Sequence, residues 1–276
     1  MRTRSTAAGC RGLLLTLAVI AAPALAGPIA LAPMHAGQFQ AGKGVDATFL
    51  KVDDNWNKST VLWDQTTKTY GSGSAIGGYS WGTGLWGLAD WKTAHRAPTA
   101  GMITDRWSGR VDRISWGDAD YNREHGRKWG TVDVAPLFGA TGSQDNWTSH
   151  FAGYIRISEA GLYNFSVLHD DGFFFNLYGA DGDTQAISND FLNPRERIGF
   201  GNDLLLDAGL YKFELGAYER LLAGVVELSW MRDGGAWSVV PTEHLVASVP
   251  TPGTAALLGA ALLALAATRS RRQGTA

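Results

Sequence analysis

The chain has 276 residues, with 24 Lys+Arg against 26 Asp+Glu and a formal charge of −2. Lacking a basic excess, it does not suit a nucleic-acid backbone, and its single cysteine excludes a disulfide scaffold. The 35 Gly, 11 Trp, 11 Phe and 8 Tyr favour sheet: short alternating apolar runs bounded by Gly and Asp recur, and no helical periodicity is sustained over a dozen residues.

Residues 1–26 are expected to be a signal peptide. Arg2, Arg4 and Arg11 precede an apolar stretch from Leu13 to Ala22, and Ala24-Leu25-Ala26 forms an A-x-A site at which signal peptidase would cut between Ala26 and Gly27. Cleavage removes Cys10. Six of the 24 basic residues and none of the 26 acids lie in residues 1–26 and 249–276, which leaves 18 against 26 and a formal charge of −8 for the body. An acidic body of this kind suits surroundings of polysaccharide and divalent cations better than an anionic membrane.

Residues 27–80 form an N-terminal extension with strand-like Val45 to Val52 and a Gly/Ser stretch from Gly71 to Gly78, expected either to add strands to the next domain or to make a loose arm. Gly78-Tyr79-Ser80-Trp81-Gly82 matches G-x-S-x-G, but a nucleophile elbow needs a hydrophobic strand before it and a helix after it. Gly-rich sequence flanks it on both sides, so no catalytic serine is expected.

Residues 81–246 carry the main domain. Nine of the 11 tryptophans lie between Trp56 and Trp147; a Trp face can stack on a sugar ring, although most are expected in the core. Asp118-Ala119-Asp120-Tyr121-Asn122 opens like a calcium loop, yet Arg123 takes the Gly position and Trp129 the bidentate Glu position, which excludes an EF-hand. The six histidines show no zinc-type spacing.

The clearest strands follow. In Leu162 to Leu168, Tyr163, Phe165 and Val167 point one way; after His169-Asp170-Asp171-Gly172, Phe173, Phe175 and Leu177 share a face, and the two runs together predict a β-hairpin. Tyr211, Phe213, Leu215 and Ala217 alternate in Leu210 to Ala217, as do Val226, Leu228 and Trp230 in Val225 to Trp230, with Tyr218 to Gly224 as the connecting turn. An internal echo links them: Ala160-Gly161-Leu162-Tyr163-Asn164-Phe165 returns as Ala208-Gly209-Leu210-Tyr211-Lys212-Phe213. Two strands therefore enter one core by the same device, an acidic residue and small turn before an inward aromatic pair.

At Asp170-Asp171 two adjacent carboxylates repel unless a cation or hydrogen-bond donors compensate. Ca²⁺, which takes about 6 to 8 oxygen ligands, is one answer; a plain Asp-Asp-Gly turn is the other. Further ligands are expected from Asp181 to Asp203, where Asn189, Asp190, Asn193, Asn202 and Asp203 cluster.

These residues carry a resemblance. FAGYIRISEAGLYNFSVLHDDGFFFNLYG, Phe151 to Gly179, followed by LLLDAGLYKFELGAYERLLAGVVELSW, Leu204 to Trp230, resembles the protective-antigen-type domain of bacterial toxins, glycosidases and fungal adhesins. That family shows a G-x-I strand, an aG-x-Y-x-F strand, a DDG turn, a short strand ending in Gly, and a late L-x-aG-x-Y strand paired with one ending in Trp. All five occur here in order, and GLWGLADW from Gly84 stands in for the opening strand. The resemblance implies an all-β, antiparallel β-sandwich. In adhesins of the family the Asp pair, sometimes joined by a cis peptide, binds Ca²⁺, and the ion holds two sugar hydroxyls; this carries over to Asp170 and Asp171 alone.

At the C-terminus, Val249-Pro250-Thr251-Pro252-Gly253 leads into an uncharged apolar run, Gly253 to Ala267, that stops at Arg269, Arg271 and Arg272. The run is shorter than the roughly 20 helical residues a bilayer requires. Residues 249–272 resemble a PEP-CTERM sorting tail, with Thr251 where such tails usually carry Glu. The resemblance implies transient inner-membrane insertion in a Gram-negative bacterium, arginines on the cytoplasmic side, and removal by an exosortase-type sorting protease; an ordinary tail anchor is the alternative.

The expected function is therefore that of an exported, non-catalytic cell-surface or extracellular-matrix protein that binds glycan, the bacterium's own exopolysaccharide, with Ca²⁺ at Asp170 and Asp171. A purely structural matrix protein is the runner-up. A polysaccharide hydrolase is third, because no spacing singles out a carboxylate pair and the residues outside the sandwich are too few for a catalytic domain.

Overall fold

The computed structural model describes residues 27–56, 84–138 and 144–247, together with the backbone of short strands at 62–64, 69–71 and 79–80. The expected signal peptide up to Ala26, the sorting motif Val249 to Gly253 and the cluster Arg269, Arg271 and Arg272 lie outside the described residues, as does most of Gly71 to Gly82.

The chain begins with β1 (Ile29–Leu31), β2 (His35–Ala36) and β3 (Val45–Val52). A separate small sheet holds β4 (Leu62–Asp64), β5 (Thr69–Gly71) and β6 (Tyr79–Ser80). Next come α1 (Leu88–Arg96), β7 (Ile103–Val111), β8 (Ser115–Gly117), α2 (Ala119–Glu124), α3 (Gly126–Trp129) and β9 (Asp133–Val134). Long strands follow: β10 (Trp147–Ile157), β11 (Gly161–Asp170) and β12 (Gly172–Tyr178). The remainder is β13 (Thr184–Asn189), β14 (Glu196–Gly199), β15 (Leu204–Leu206), β16 (Gly209–Glu219), β17 (Val225–Arg232), β18 (Ser238–Val239) and β19 (Leu245–Val246).

Two eight-stranded sheets make an all-β sandwich. The first runs β1-β15-β11-β17-β8-β9, with β14 on β11 and β18 on β17; the second runs β13-β12-β16-β10-β3-β7, with β2 on β16 and β19 on β10. Residues 29–52 thus contribute strands to both sheets, β3 lying between β10 and β7. Pairing is antiparallel apart from β1 with β15 and β8 with β9. Phe165, Val167, Leu204 and Leu228 of the first sheet meet Phe49, Phe151, Phe175 and Phe213 of the second in one core, all fully buried. Each such side chain contributes about 1.5 to 3 kcal/mol on burial.

The inward faces are those the alternation predicts, but the predicted hairpin is not formed. β11 belongs to the first sheet and β12 to the second. Only Asp171 separates them, fewer than the two residues of the tightest common hairpin loop, so the chain turns over the edge of the sandwich instead. The family-derived pairing of the late strands fails likewise: β16 lies between β12 and β10, while β17 pairs with β11. GLWGLADW is not a strand either. Leu88 opens α1, whose Trp91 and Ala94 are buried on the outer side of the second sheet against Leu50, Val52 and Tyr218.

The echo has a shared hydrogen bond. Tyr163 donates its hydroxyl proton to the Glu159 carbonyl at 2.8 Å, and Tyr211 does the same to Asp207 at 3.1 Å. Each ring is buried, in opposite sheets, with its hydroxyl satisfied four residues back. The Tyr211 hydroxyl shares that one proton with the nearer Leu31 carbonyl at 2.9 Å and accepts from Asp207 N–H at 2.9 Å, joining the two layers. Tyr211→Phe leaves an enclosed carbonyl and N–H unpaired and is expected to destabilise by about 1 to 3 kcal/mol, whereas Tyr163→Phe, whose acceptor is exposed, costs about 1 kcal/mol or less. Urea midpoints of the two variants check the order.

Candidate functional site

Both sheet-to-sheet crossings fall at one corner. Asp170 ends β11 opposite Val225, and Gly172 begins β12 opposite Tyr218, so the Asp-Asp crossing runs beside the Glu219 to Val225 crossing. Asp171 N–H donates to the Tyr218 carbonyl at 2.9 Å, and Arg220 N–H donates to Asp171 Oδ2 at 2.9 Å. The peptide bond between Asp170 and Asp171 is cis. His169 Nδ1–H donates to the Asp171 carbonyl at 3.0 Å from a fully buried ring. Two glycines allow the close approach: a Cβ on Gly172 would stand 2.4 Å from the Tyr218 hydroxyl, and one on Gly224 2.4 Å from Glu219 Cγ.

The segment between β13 and β14 covers the corner. Asp190 Oδ1 accepts from Leu88 N–H at 2.7 Å, Phe191 N–H at 2.7 Å and the Tyr218 hydroxyl at 3.0 Å, so it braces the segment rather than entering the site. Asp203 is likewise engaged elsewhere, accepting from Asn164 Nδ2 at 3.0 Å. Of the polar stretch Asp181 to Asp203, Asn193 reaches the corner through its backbone N–H, which bonds the Asp171 carboxylate. Arg195 Nη2 meets Asp170 Oδ2 at 2.8 Å. Asp118, fully enclosed, caps α2 by accepting from Tyr121 N–H at 2.7 Å and also accepts from Gly224 N–H at 2.5 Å.

Glu219 completes the corner and is the residue that motif reading missed. Ligand oxygens of Asp170, Asp171 and Glu219 lie within 4.8 Å of one another. Glu219 is fully buried, and among the described residues neither carboxylate oxygen has a partner of good hydrogen-bond geometry; Leu221 N–H gives only weak compensation. The signal was in the alternation: the row Tyr211, Phe213, Leu215 and Ala217 continues to Glu219, which places a carboxylate on a core face.

Above this floor opens a cleft of about 310 Å³, bordered by Glu124, His125, Arg195, Leu192, Leu221 and Leu222. No tryptophan lines it among the described residues; the Trp86 ring centre stands 4.3 Å from the Arg220 guanidinium carbon.

Burial is the first cause of the shifted acidities here. It raises Asp170 to about 7 despite the opposing Arg195, and Asp118 to about 6. Asp171 and Glu219 are raised well above the usual carboxylate range, by burial and then by neighbouring carboxylates. Burial acts oppositely on histidine, holding His169 down to about 4 and His95, in the last turn of α1, to about 3.

No protein-family model matches the chain, and no curated protein matches it. Solved structures with a similar fold include the Epithelial Adhesin 9 A domain of Candida glabrata in complex with Galβ1-3GlcNAc, 12% identical over 82% of this chain and 99% of that one, TM-score 0.49. A PA14 sugar-binding domain from an RTX adhesin is 16% identical over 75% of this chain and 100% of that one, TM-score 0.45. An anti-sigma factor domain-containing protein is 13% identical over 75% of this chain, which spans only 49% of that protein, TM-score 0.43.

The shifted groups oppose one another in pH. Asp118, Asp170, Asp171 and Glu219 have folded values above their unfolded ones, so their stabilisation is present at low pH and lost as pH rises from about 4 through about 7. The contribution of neutral His95 and His169 is present above about 6.5 and lost as pH falls towards about 3 and about 4. In chelator the four carboxylates outweigh the two histidines above about pH 4.5, so the melting temperature is expected to peak near about pH 4 and to fall from there to about pH 8. Calorimetry across that range checks it; a midpoint still rising at pH 8 contradicts an enclosed carboxylate cluster.

Proposed function

We propose that this protein is an exported, non-catalytic β-sandwich that binds carbohydrate at the corner cleft with the help of Ca²⁺ held by Asp170, Asp171 and Glu219. One observation carries the reading: Glu219 is fully enclosed beside two further carboxylates, and among the described residues neither of its oxygens has a well-formed hydrogen bond. Among the described residues bordering the floor, Arg195 and Arg220 are the cations, against Asp118, Asp170, Asp171 and Glu219. A buried excess of carboxylate is resolved by protons or by a cation, and an all-oxygen donor set suits a hard one.

A bound Ca²⁺ would offer its remaining coordination positions to sugar hydroxyls. The chain's own residues hold that floor in place: Arg220 N–H and Asn193 N–H fix Asp171, Arg195 fixes Asp170, and Asp118 ties Gly224 to α2. Hydrolysis is disfavoured because a glycosidase places its two carboxylates on either side of the scissile bond, about 5 to 9.5 Å apart, whereas these acids crowd one floor within 4.8 Å. The expected signal peptide and sorting tail complete the reading. The protein would be delivered to the cell surface or extracellular matrix, where the bacterium's exopolysaccharide is its partner, and an exosortase-type protease would remove the tail.

Two outcomes follow. Ca²⁺ is expected to raise the melting temperature of the full chain, as a ligand of the native state must. Glu219→Gln is expected to melt higher than the parent in chelator, because one buried charge is gone, yet to bind Ca²⁺ about tenfold more weakly, near 1.4 kcal/mol. Absence of any calcium response in calorimetry, together with a blank glycan array, overturns the proposal. Separately, mass spectrometry of the exported protein is expected to show loss of Arg269, Arg271 and Arg272; their retention indicates an anchored protein instead.

A further inference from the structure

The mouth of the cleft has an apolar wall that the fold does not require. Leu222 is 72% exposed and the adjacent Leu221 39%. Leu222 also has φ 77°, in the left-handed region that is strained for a residue with a Cβ and that Gly or Asn would occupy more readily. Its N–H is held by Asp145 Oδ1 at 3.0 Å, so the turn presents this side chain outward. An exposed leucine kept at a strained turn beside a cleft points to a ligand rather than to packing.

The wall is aliphatic throughout. Leu192, Pro194 and Ala223 continue it, and among the described residues no Phe, Tyr or Trp lines the cleft, whose aromatic ring is the smaller imidazole of His125. A flat pyranose face is matched by an aromatic plane; branched aliphatic side chains match a compact methyl group instead. Charge narrows the class further. Glu124, Asp170 and Asp171 border the cleft against Arg195 and Arg220, and Asp145 anchors its rim, so acids outnumber arginines there and a uronic acid or sulfated sugar gains no net attraction. Arg220, whose N–H binds Asp171, is two residues from Leu222, a span of at most about 7 Å. One sugar ring can therefore touch both the carboxylate floor and the leucines.

We infer that the cleft selects neutral 6-deoxyhexoses, with the vicinal hydroxyls at C2 and C3 directed to the carboxylate floor and the methyl on C5, across the ring, seated on Leu221 and Leu222. The inference rests on the carbohydrate-binding reading above and names its substrate class. Removing the exocyclic hydroxyl frees the ligand from burying an unpaired polar group against leucine, and the methyl contributes apolar burial.

Calorimetry on the full chain with Ca²⁺ tests this with matched pairs, L-rhamnose against L-mannose and L-fucose against L-galactose. The deoxy member of at least one pair is expected to bind about tenfold more tightly. Leu222→Asn, which suits the left-handed turn and whose folding circular dichroism verifies, is expected to bring that ratio close to one. Equal affinities within both pairs overturn the deoxyhexose inference and leave carbohydrate binding standing. A preference that survives in Leu222→Asn overturns the assignment to the leucine wall, and binding of O-acetylated sugars alone replaces the class. No binding to any of the four sugars or to a glycan array in Ca²⁺ overturns the functional reading itself.

Discussion

The hydrogen bond from Asp171 N–H to the Tyr218 carbonyl joins two chain crossings that pass from sheet to sheet at one corner. It sets the register in which Gly172 opposes Tyr218, and with the β11–β17 pairing it brings Asp170, Asp171 and Glu219 to one point. The inner rows of β11 and β16 run through apolar side chains and end there in His169 and Glu219. A row that ends in an ionisable group ends the hydrophobic core, and the cleft begins where the core stops.

That corner is not built for stability. Enclosed carboxylates lose hydration that two arginines only partly replace, and breaking or leaving unmatched such a network is costly. Most of the remaining hydrogen bonds at the corner act on backbone: Asp190 braces α1 and its own segment, Asp118 ties α2 to Gly224, and Arg220 N–H meets Asp171. The scaffold is thus held by backbone donors, while among the described residues the carboxylate oxygens of Glu219 find no well-formed hydrogen bond. Ionisable groups displaced this far by burial, at the floor of a cleft, are characteristic of a site rather than of a core.

Much of the sandwich was legible in period-2 alternation. Tyr163, Phe165, Val167, Phe173, Phe175, Leu177, Tyr211, Phe213 and Leu215 all face inward and are buried. The repeated Ala-Gly-Leu-Tyr segments also carry the same tyrosine-to-carbonyl bond in opposite sheets. Helix α1 escaped notice because its buried face is narrow, Trp91 and Ala94 in nine residues, and it follows Gly84 and Gly87. Such a short helix is stable through packing on the sheet, here through the Trp91 indole N–H on the Ser149 carbonyl at 2.9 Å, rather than through its own sequence. Glu219 was legible in principle, as the one charge in an inward row, but counting motifs does not count rows.

By itself the sequence determined the strand segments, their inward faces and the adjacent Asp170 and Asp171, because these follow from a two-residue repeat and from local chemistry. Tertiary structure decided which strands are neighbours. Alternation is the same in a hairpin as in a crossing between sheets, so it could not say that β12 leaves β11 for β16. The site depends on that decision: Asp171 meets Arg220 49 residues away, and Glu219 reaches the Asp pair only because both crossings turn the same corner. A local pattern specifies how a residue faces; only the closed core, shared by both sheets, specifies what it faces.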